Sequence, residues 1–460
     1  MARRAQTQTL DVTQGVIWRQ LAALFFPVLA GAVFQEAYTL VNTYIVGQYA
    51  SLTALGAIQA TATLTDLTIS VAMGMGMGCS VIVSQYFGAG DDRRLEQAMH
   101  TAVALSLCMG FAFTIVGVIG AGPLLRLMGT PQDLIGASLD FIYIYFGAVM
   151  LPIVFNMGAA LQRAVGDTRT PAFIIALTCL VNIALDIVFV VKLDFGARGA
   201  AMATAGSYLV GTILTFGALM RMDGPERLHP NRIRINGAIA RDMLACSLPL
   251  AAQNAIFPLS NMVVQSSVNS FGSQTVIAWG LQARIGSVAW LVSDAFAMAA
   301  TTFSAQNFGA ANYDRMRRGL HVSLVMATVG MGIIEALICL NARDLAWLFA
   351  NESNVVSLTA WLVLITVPFY VIFSYMDIIA GVIRGSGESL RPMIIVIFGT
   401  CILRIAWMLL VVPAYHSIVT VALSYPLTWT ITTIMFVIYY RHGRWLTRSL
   451  RTARHRRKDS

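Results

Sequence analysis

Hydrophobic residues make up 57% of this 460-residue chain and charged residues only 12%, against a charged share of about 25% in soluble globular proteins. That composition excludes a soluble multidomain enzyme. Apolar runs of about 20 residues, each long enough to cross a bilayer core, recur along the whole sequence and indicate a helical membrane protein. The net charge of +9 is concentrated between Arg221 and Arg241 and from Arg441 to Lys458. Both segments flank apolar runs, so they fit loops facing anionic lipid and the cytoplasm, and not nucleic acid.

In chain order, residues 1–16 read as a polar cytoplasmic tail without a cleavable signal pattern, so the first span is expected to serve as an uncleaved anchor. Six spans are predicted at 17–46, 54–84, 95–120, 134–160, 171–191 and 198–220. After a basic linker at 221–241, six more follow at 242–269, 277–305, 319–341, 356–382, 392–413 and 416–440. A basic tail closes the chain at 441–460. Only Arg126, Lys192, Arg198 and Arg343 fall in the alternate loops, and Arg284 and Arg404 lie within spans. The excess of Lys and Arg on the other side predicts both termini in the cytoplasm. All six cysteines sit in apolar segments and read as small buried residues, without the spacing of a metal site or disulfide framework.

Within span 1, Pro27 removes a backbone hydrogen bond and permits a bend. Gln35 and Glu36 lie near mid-membrane, with Thr39 and Thr43 on the face of Glu36. Gln59, Thr63, Asp66 and Ser70 form one polar stripe down span 2, the pattern of a cavity wall or an inter-helix seam. Met73-Gly-Met-Gly-Met-Gly78 lacks the strand that precedes a phosphate loop and reads as close helix packing. Span 5 contains Asn182-Ile-Ala-Leu-Asp186. A charge at mid-bilayer costs at least about 2.5 kcal/mol, and residues four apart share a helix face. The pair reads as a cation or proton site; the competing reading is a polar seam satisfied by a neighbouring helix. In the second half, Asp294, Glu335, Asp377 and Arg404 are intramembrane charges, Arg404 being expected to neutralise a carboxylate. Asp294 and Asp377 join Gln35, Glu36, Gln59, Thr63 and Asp66 as cavity candidates. Arg163, Asp167, Arg384 and Glu388 are expected to cap helices and pair in cytoplasmic loops.

An internal repeat runs through the chain. Gln85-Tyr-Phe-Gly-Ala-Gly recurs as Gln306-Asn-Phe-Gly-Ala-Ala, and the loop from Arg163 to Pro171 as that from Arg384 to Pro392, both offset by 221 residues. Pro27 and Pro249 recur at an offset of 222. The expected class is therefore an all-α polytopic protein with two six-helix lobes, 17–220 and 242–440, related by a pseudo-twofold axis along the membrane normal.

These features together resemble the MATE (multidrug and toxic compound extrusion) family, including its MepA-type branch, over nearly the whole chain. The resemblance implies no enzyme activity and no cofactor. It implies export of organic cations or amphipathic compounds across the bacterial inner membrane, in exchange for H⁺ or Na⁺, by alternating access of two lobes. It places the ion at Asp186 and Asn182, with Thr204 in span 6 and Asn42 in span 1, where the family usually has Asp. The span 7 carboxylate of some members is missing beside Phe257-Pro258. Independently of the family, Asp186, Thr204 and Asn42 each lie five or six residues from an outer span end, about 8–9 Å deep at 1.5 Å per residue. Asp, Asn and Thr oxygens suit a hard cation such as Na⁺ as well as a proton on Asp186. A single local acid compensates one charge, which favours H⁺ and leaves Na⁺ open. The remaining readings are a flippase for a lipid-linked or similar amphipathic substrate and a non-transporting sensor. A monomer in the lipid bilayer is expected.

Overall fold

The computed structural model describes residues 10–458; the outer parts of the two predicted tails, 1–9 and 459–460, lie outside the described residues. The first half contains α1 (Ile17–Tyr49), α2 (Leu52–Ala89), α3 (Asp92–Leu127), α4 (Gln132–Ala148), α5 (Met150–Ala164), α6 (Arg169–Asp186) and α7 (Gly196–Arg221). The second continues with α8 (Gly237–Asn269), α9 (Ser273–Gly309), α10 (Tyr313–Leu340), α11 (Ala342–Trp347), α12 (Ser353–Thr366) and α13 (Tyr370–Gly385). It ends with α14 (Leu390–Val396), α15 (Leu403–Leu410), α16 (Ile418–His442) and α17 (Trp445–Lys458). No strand occurs among the described residues. Among the described residues, eleven spans are long and apolar enough to cross a membrane, and α4 with α5, bent by 46°, makes a twelfth if the pair is one span.

The breaks have local causes. Pro152 cannot donate to the Ala148 carbonyl, so the α4–α5 bend falls one turn before it. Pro368 sits in the short 3₁₀ turn Val367–Phe369 that divides α12 from α13. Two further irregularities are π turns, Ile187–Lys192 directly after α6 and Ile397–Ile402 between α14 and α15.

The chain divides into two compact units that differ from simple halves. One holds Ala30–Ala251, and the other holds Val12–Leu29 with Ala252 onward. The divisions fall inside α1 and α8, just beyond the repeat-related Pro27 and Pro249.

In the first unit, α5 packs on α2, α3 and α7, while α6 lies on α7. Leu95, Met99, Leu161, Leu219 and Met243 share one apolar core. The Met-Gly run closes α2 against the start of α8. A β-carbon on Gly74 would stand 2.6 Å from the Ala251 nitrogen, and one on Gly78 would overlap Ser247. Ser247 Oγ donates to the Met75 carbonyl at 3.0 Å. The run is a helix-packing surface. The predicted linker is not a loose connection. Leu228 and Glu226 are buried, the His229 amide donates to His100 Nε2 at 3.0 Å, and Arg232 pairs with Glu96 at 2.7 Å. Its end, from Gly237, is already α8.

In the second unit, α9 packs against α10, α12 and α13. The segment before α1 is pinned to its surface. The Val12 amide donates to Gln306 Oε1 at 3.1 Å, and the Val12 carbonyl accepts from Asn307 Nδ2 at 3.2 Å and Arg315 Nε at 3.2 Å. The repeated Gln-x-Phe-Gly-Ala turn thus holds an ordered N-terminal strand of chain. The basic tail is likewise ordered from Trp445, whose ring stacks on Tyr440, and Ser449 meets Ser386 at 2.9 Å. None of the six cysteines forms a disulfide; Cys79, Cys246 and Cys401 are buried as expected, whereas Cys108 is exposed.

Candidate functional site

Asp186 and Asn182 end α6 inside the first unit, with exposures of 0% and 3%. Asn182 is fixed from two sides. Its Oδ1 accepts from the Tyr38 hydroxyl of α1 at 2.8 Å, and its Nδ2 donates to Ser207 Oγ of α7 at 2.9 Å. Asn42 Nδ2 donates in turn to the Tyr38 oxygen at 3.1 Å. Ser207 Oγ donates to the Thr204 carbonyl at 2.9 Å, while Thr204 Oγ1 donates to Ala200 O at 2.9 Å. Asn42, Asn182 and Thr204 are therefore brought into one network. Thr204 enters it through its backbone, and its hydroxyl is turned to its own helix.

The Asp186 carboxylate lies close enough to the Tyr38 phenol to act on it electrostatically. Both its oxygens, and Asn42 Oδ1, are buried without a hydrogen-bond partner. These are acceptors only. A buried carboxylate without a donor is costly, and a proton or a hard cation on it would offset that cost. Tyr38 and Ser207 were not anticipated from sequence. Their signal was spacing, Tyr38 one helical turn before Asn42 and Ser207 one turn after Thr204.

Gln35, Gln59, Thr63 and Asp66 are exposed on the first unit and Glu36 is half-buried. Gln59, Thr63 and Asp66 stand opposite the buried Ala57, Thr61, Thr68 and Ala72 face of α2. They form a polar stripe on the exposed face of α2. Asp167 caps α6, its Oδ1 accepting from the Thr170 amide at 3.0 Å, and Arg163 is half-buried at the end of α5.

The second unit corrects two expectations. Arg384 is not a loop residue. It is buried on α13, 3.8 Å from Asp377, and donates to Gln253 Oε1 at 3.0 Å. Asp294, on α9, accepts a side-chain hydrogen bond from Trp290 and lies near both Asp377 and Arg384. Glu388 pairs with Arg391 at 3.1 Å instead. Arg404 neutralises no carboxylate among the described residues. Its Nη1 donates to Asn261 Oδ1 at 3.4 Å, its Nη2 to Thr428 Oγ1 at 3.2 Å, and its guanidinium lies 4.0 Å from the Tyr425 ring centre. The register of α15 against α8 and α16 decides this, and helix register is not legible in hydropathy.

Twelve apolar spans among the described residues, with charged and amide side chains buried inside them, define an integral multi-pass membrane protein. The MatE family matches residues 27–188 and 249–410, and the chain belongs to that family. It is 26% identical over 394 residues to the probable multidrug resistance protein YoeA of Bacillus subtilis, covering 83% of this chain and 84% of that one. It is 27% identical over 357 residues to an FAD transporter of Shewanella oneidensis, covering 76% and 78%. Its fold matches the outward-facing structure of a multidrug resistance MATE family transporter of the MOP superfamily. The TM-score is 0.89 at 20% identity, covering 96% of this chain and 99% of that one.

Proposed function

We propose that this protein exports organic cations and related amphipathic compounds in exchange for a coupling cation that binds at Asp186, with alternating access as the mechanism. The observation that carries the reading is the buried Asp186 carboxylate, without a donor, beside the Asn42–Tyr38–Asn182–Ser207 chain. The ion is H⁺ in this reading. One acid compensates one charge, and a proton on Asp186 needs no further ligand, whereas Na⁺ would draw on Asn and Thr oxygens as well. Protonated Asp186 gains a donor and loses its charge, so the ion shifts the balance between states only through its different affinity for each. The protein acts as a monomer in the bacterial inner membrane with both termini in the cytoplasm, consistent with the distribution of Lys and Arg. A flippase for polyanionic lipids is less well supported, because Arg284 and Arg404 are the only arginines away from the ends of the predicted spans, too few for a polyanionic cavity.

The test is efflux of a fluorescent organic cation from proteoliposomes under separately imposed pH and Na⁺ gradients. Asp186→Asn is expected to abolish ion-driven efflux while leaving the protein folded. Driven efflux by that variant at the wild-type rate would refute the assignment.

A further inference from the structure

The repeat offset is 221 residues at Pro171 and Pro392, yet the two family-matched segments end at 188 and 410, an offset of 222. The π turn Ile397–Ile402 accounts for the change, because an i→i+5 turn takes up one residue more than an α turn. Beyond it the correspondence is Asn182 with Arg404 and Asp186 with Met408. The contacts agree. Asn182 is held by α1 through Tyr38 and by α7 through Ser207, and Arg404 by α8 through Asn261 and by α16 through Thr428. The position that carries an acceptor-rich acid site in the first unit therefore carries a fixed positive charge in the second.

Arg404 is 1% exposed. None of the ion pairs among the described residues includes it. Its partners are an amide, a hydroxyl and an aromatic ring, and its Nε is buried without a partner. The electrostatic neighbours around it are Tyr425, Cys401 and Tyr370, all neutral in their ordinary forms. The indole Nε1 of Trp429, on the α16 face that carries Tyr425, is a second buried donor without an acceptor. Buried charges are ordinarily compensated by an opposite charge. No carboxylate among the described residues pairs with Arg404, and Asn261, which accepts from its Nη1, is exposed.

We propose that Arg404 is the centre of an anion-binding site in the second unit, taking a monoanionic group, either chloride or the carboxylate of an amphipathic substrate. The anion displaces Asn261 from Nη1 and accepts from the guanidinium. The proposal goes beyond the antiport reading and does not depend on which ion binds Asp186, because anion binding is measured at equilibrium without a gradient.

The experiment uses the full-length protein in lipid nanodiscs in a buffer whose only other anion is sulfate, a dianion outside the proposed class. Sodium chloride or sodium benzoate is titrated in, and intrinsic tryptophan fluorescence and thermal unfolding are recorded. Wild type and Asp186→Asn are expected to show the same saturable response. Arg404→Gln is expected to weaken it at least tenfold, and Arg404→Lys to keep part of it. Asn261→Asp sets a carboxylate beside Nη1 and is expected to fold, raise the unfolding temperature and lose the anion response. It keeps the test open if Arg404→Gln does not fold. A response to chloride alone assigns the inorganic ion, and one to benzoate, alone or in competition with chloride, assigns the substrate carboxylate. Absence of any saturable response in folded wild type overturns the proposal. So does an undiminished response in Arg404→Gln or Asn261→Asp.

Discussion

Tyr38 offers a sharper test of the first-unit site than Asp186 itself, because its removal leaves the acid in place. Tyr38→Phe deletes one oxygen and adds no volume. It breaks the 2.8 Å bond to Asn182 Oδ1 and the 3.1 Å bond from Asn42 Nδ2. Each such bond contributes about 1 kcal/mol net. Both lie in a half-buried position, so the combined loss of site order is about 1–2 kcal/mol, a five- to thirty-fold change in an equilibrium constant. The expected outcome is a rise of that size in the coupling-ion concentration giving half-maximal efflux, with wild-type thermal stability to within a few degrees. Proteoliposome efflux at a series of external pH values, at fixed Na⁺ and then with the roles exchanged, reads this directly. An unchanged half-saturating concentration, alongside an inactive Asp186→Asn, would show that the Tyr38 chain does not organise the ion site.

Further expectations follow from packing and charge. Gly74→Ala places a methyl group 2.6 Å from a backbone nitrogen of α8 and should cost about 1–3 kcal/mol by overpacking. Gly47→Ala, with open space around it, should lower the unfolding temperature far less, and equal losses would argue against tight α2–α8 contact. Arg384→Met strands Asp377 and should destabilise by up to about 3–5 kcal/mol. Adding Asp377→Asn should recover part of that in a double-mutant cycle, and strict additivity would mean the 3.8 Å pair is not energetically coupled. Arg315→Ala removes bonds to the Val12 and Gln14 carbonyls and to Gln20. Limited proteolysis should then cut between residues 10 and 20 faster than in wild type.

Hydropathy carried the twelve spans because a bilayer imposes one rule on every residue of a span. Asn182 and Asp186 stood out for the same reason, since polar groups in apolar spans are expensive. Tyr38 was hidden because a tyrosine in an apolar helix is equally at home in a core, at an interface or in a hydrogen-bonded site. The π turns were hidden because one extra residue leaves the hydropathy profile unchanged while rotating everything beyond it. The partners of Arg384 and Arg404 depend on which helix face meets which, and charge alone suggested a loop for one and a carboxylate for the other. The 221–241 segment reads as a linker on composition, and composition carries no sign that Leu228 and the His100–His229 contact fold it onto α3.

The pinned N-terminal segment bears on how the chain is made. Val12 finds its partner in Gln306, 294 residues later, and in Arg315, 303 residues later. At about 5–20 residues per second of synthesis, some 15–60 seconds pass before those partners emerge from the ribosome. Residues Val12–Leu29, which include the start of α1, belong to the unit completed after them. That stretch must therefore wait in the membrane without its native neighbours. A bulky tag fused ahead of it would interfere with a late closing step, whereas one placed after α17 would not.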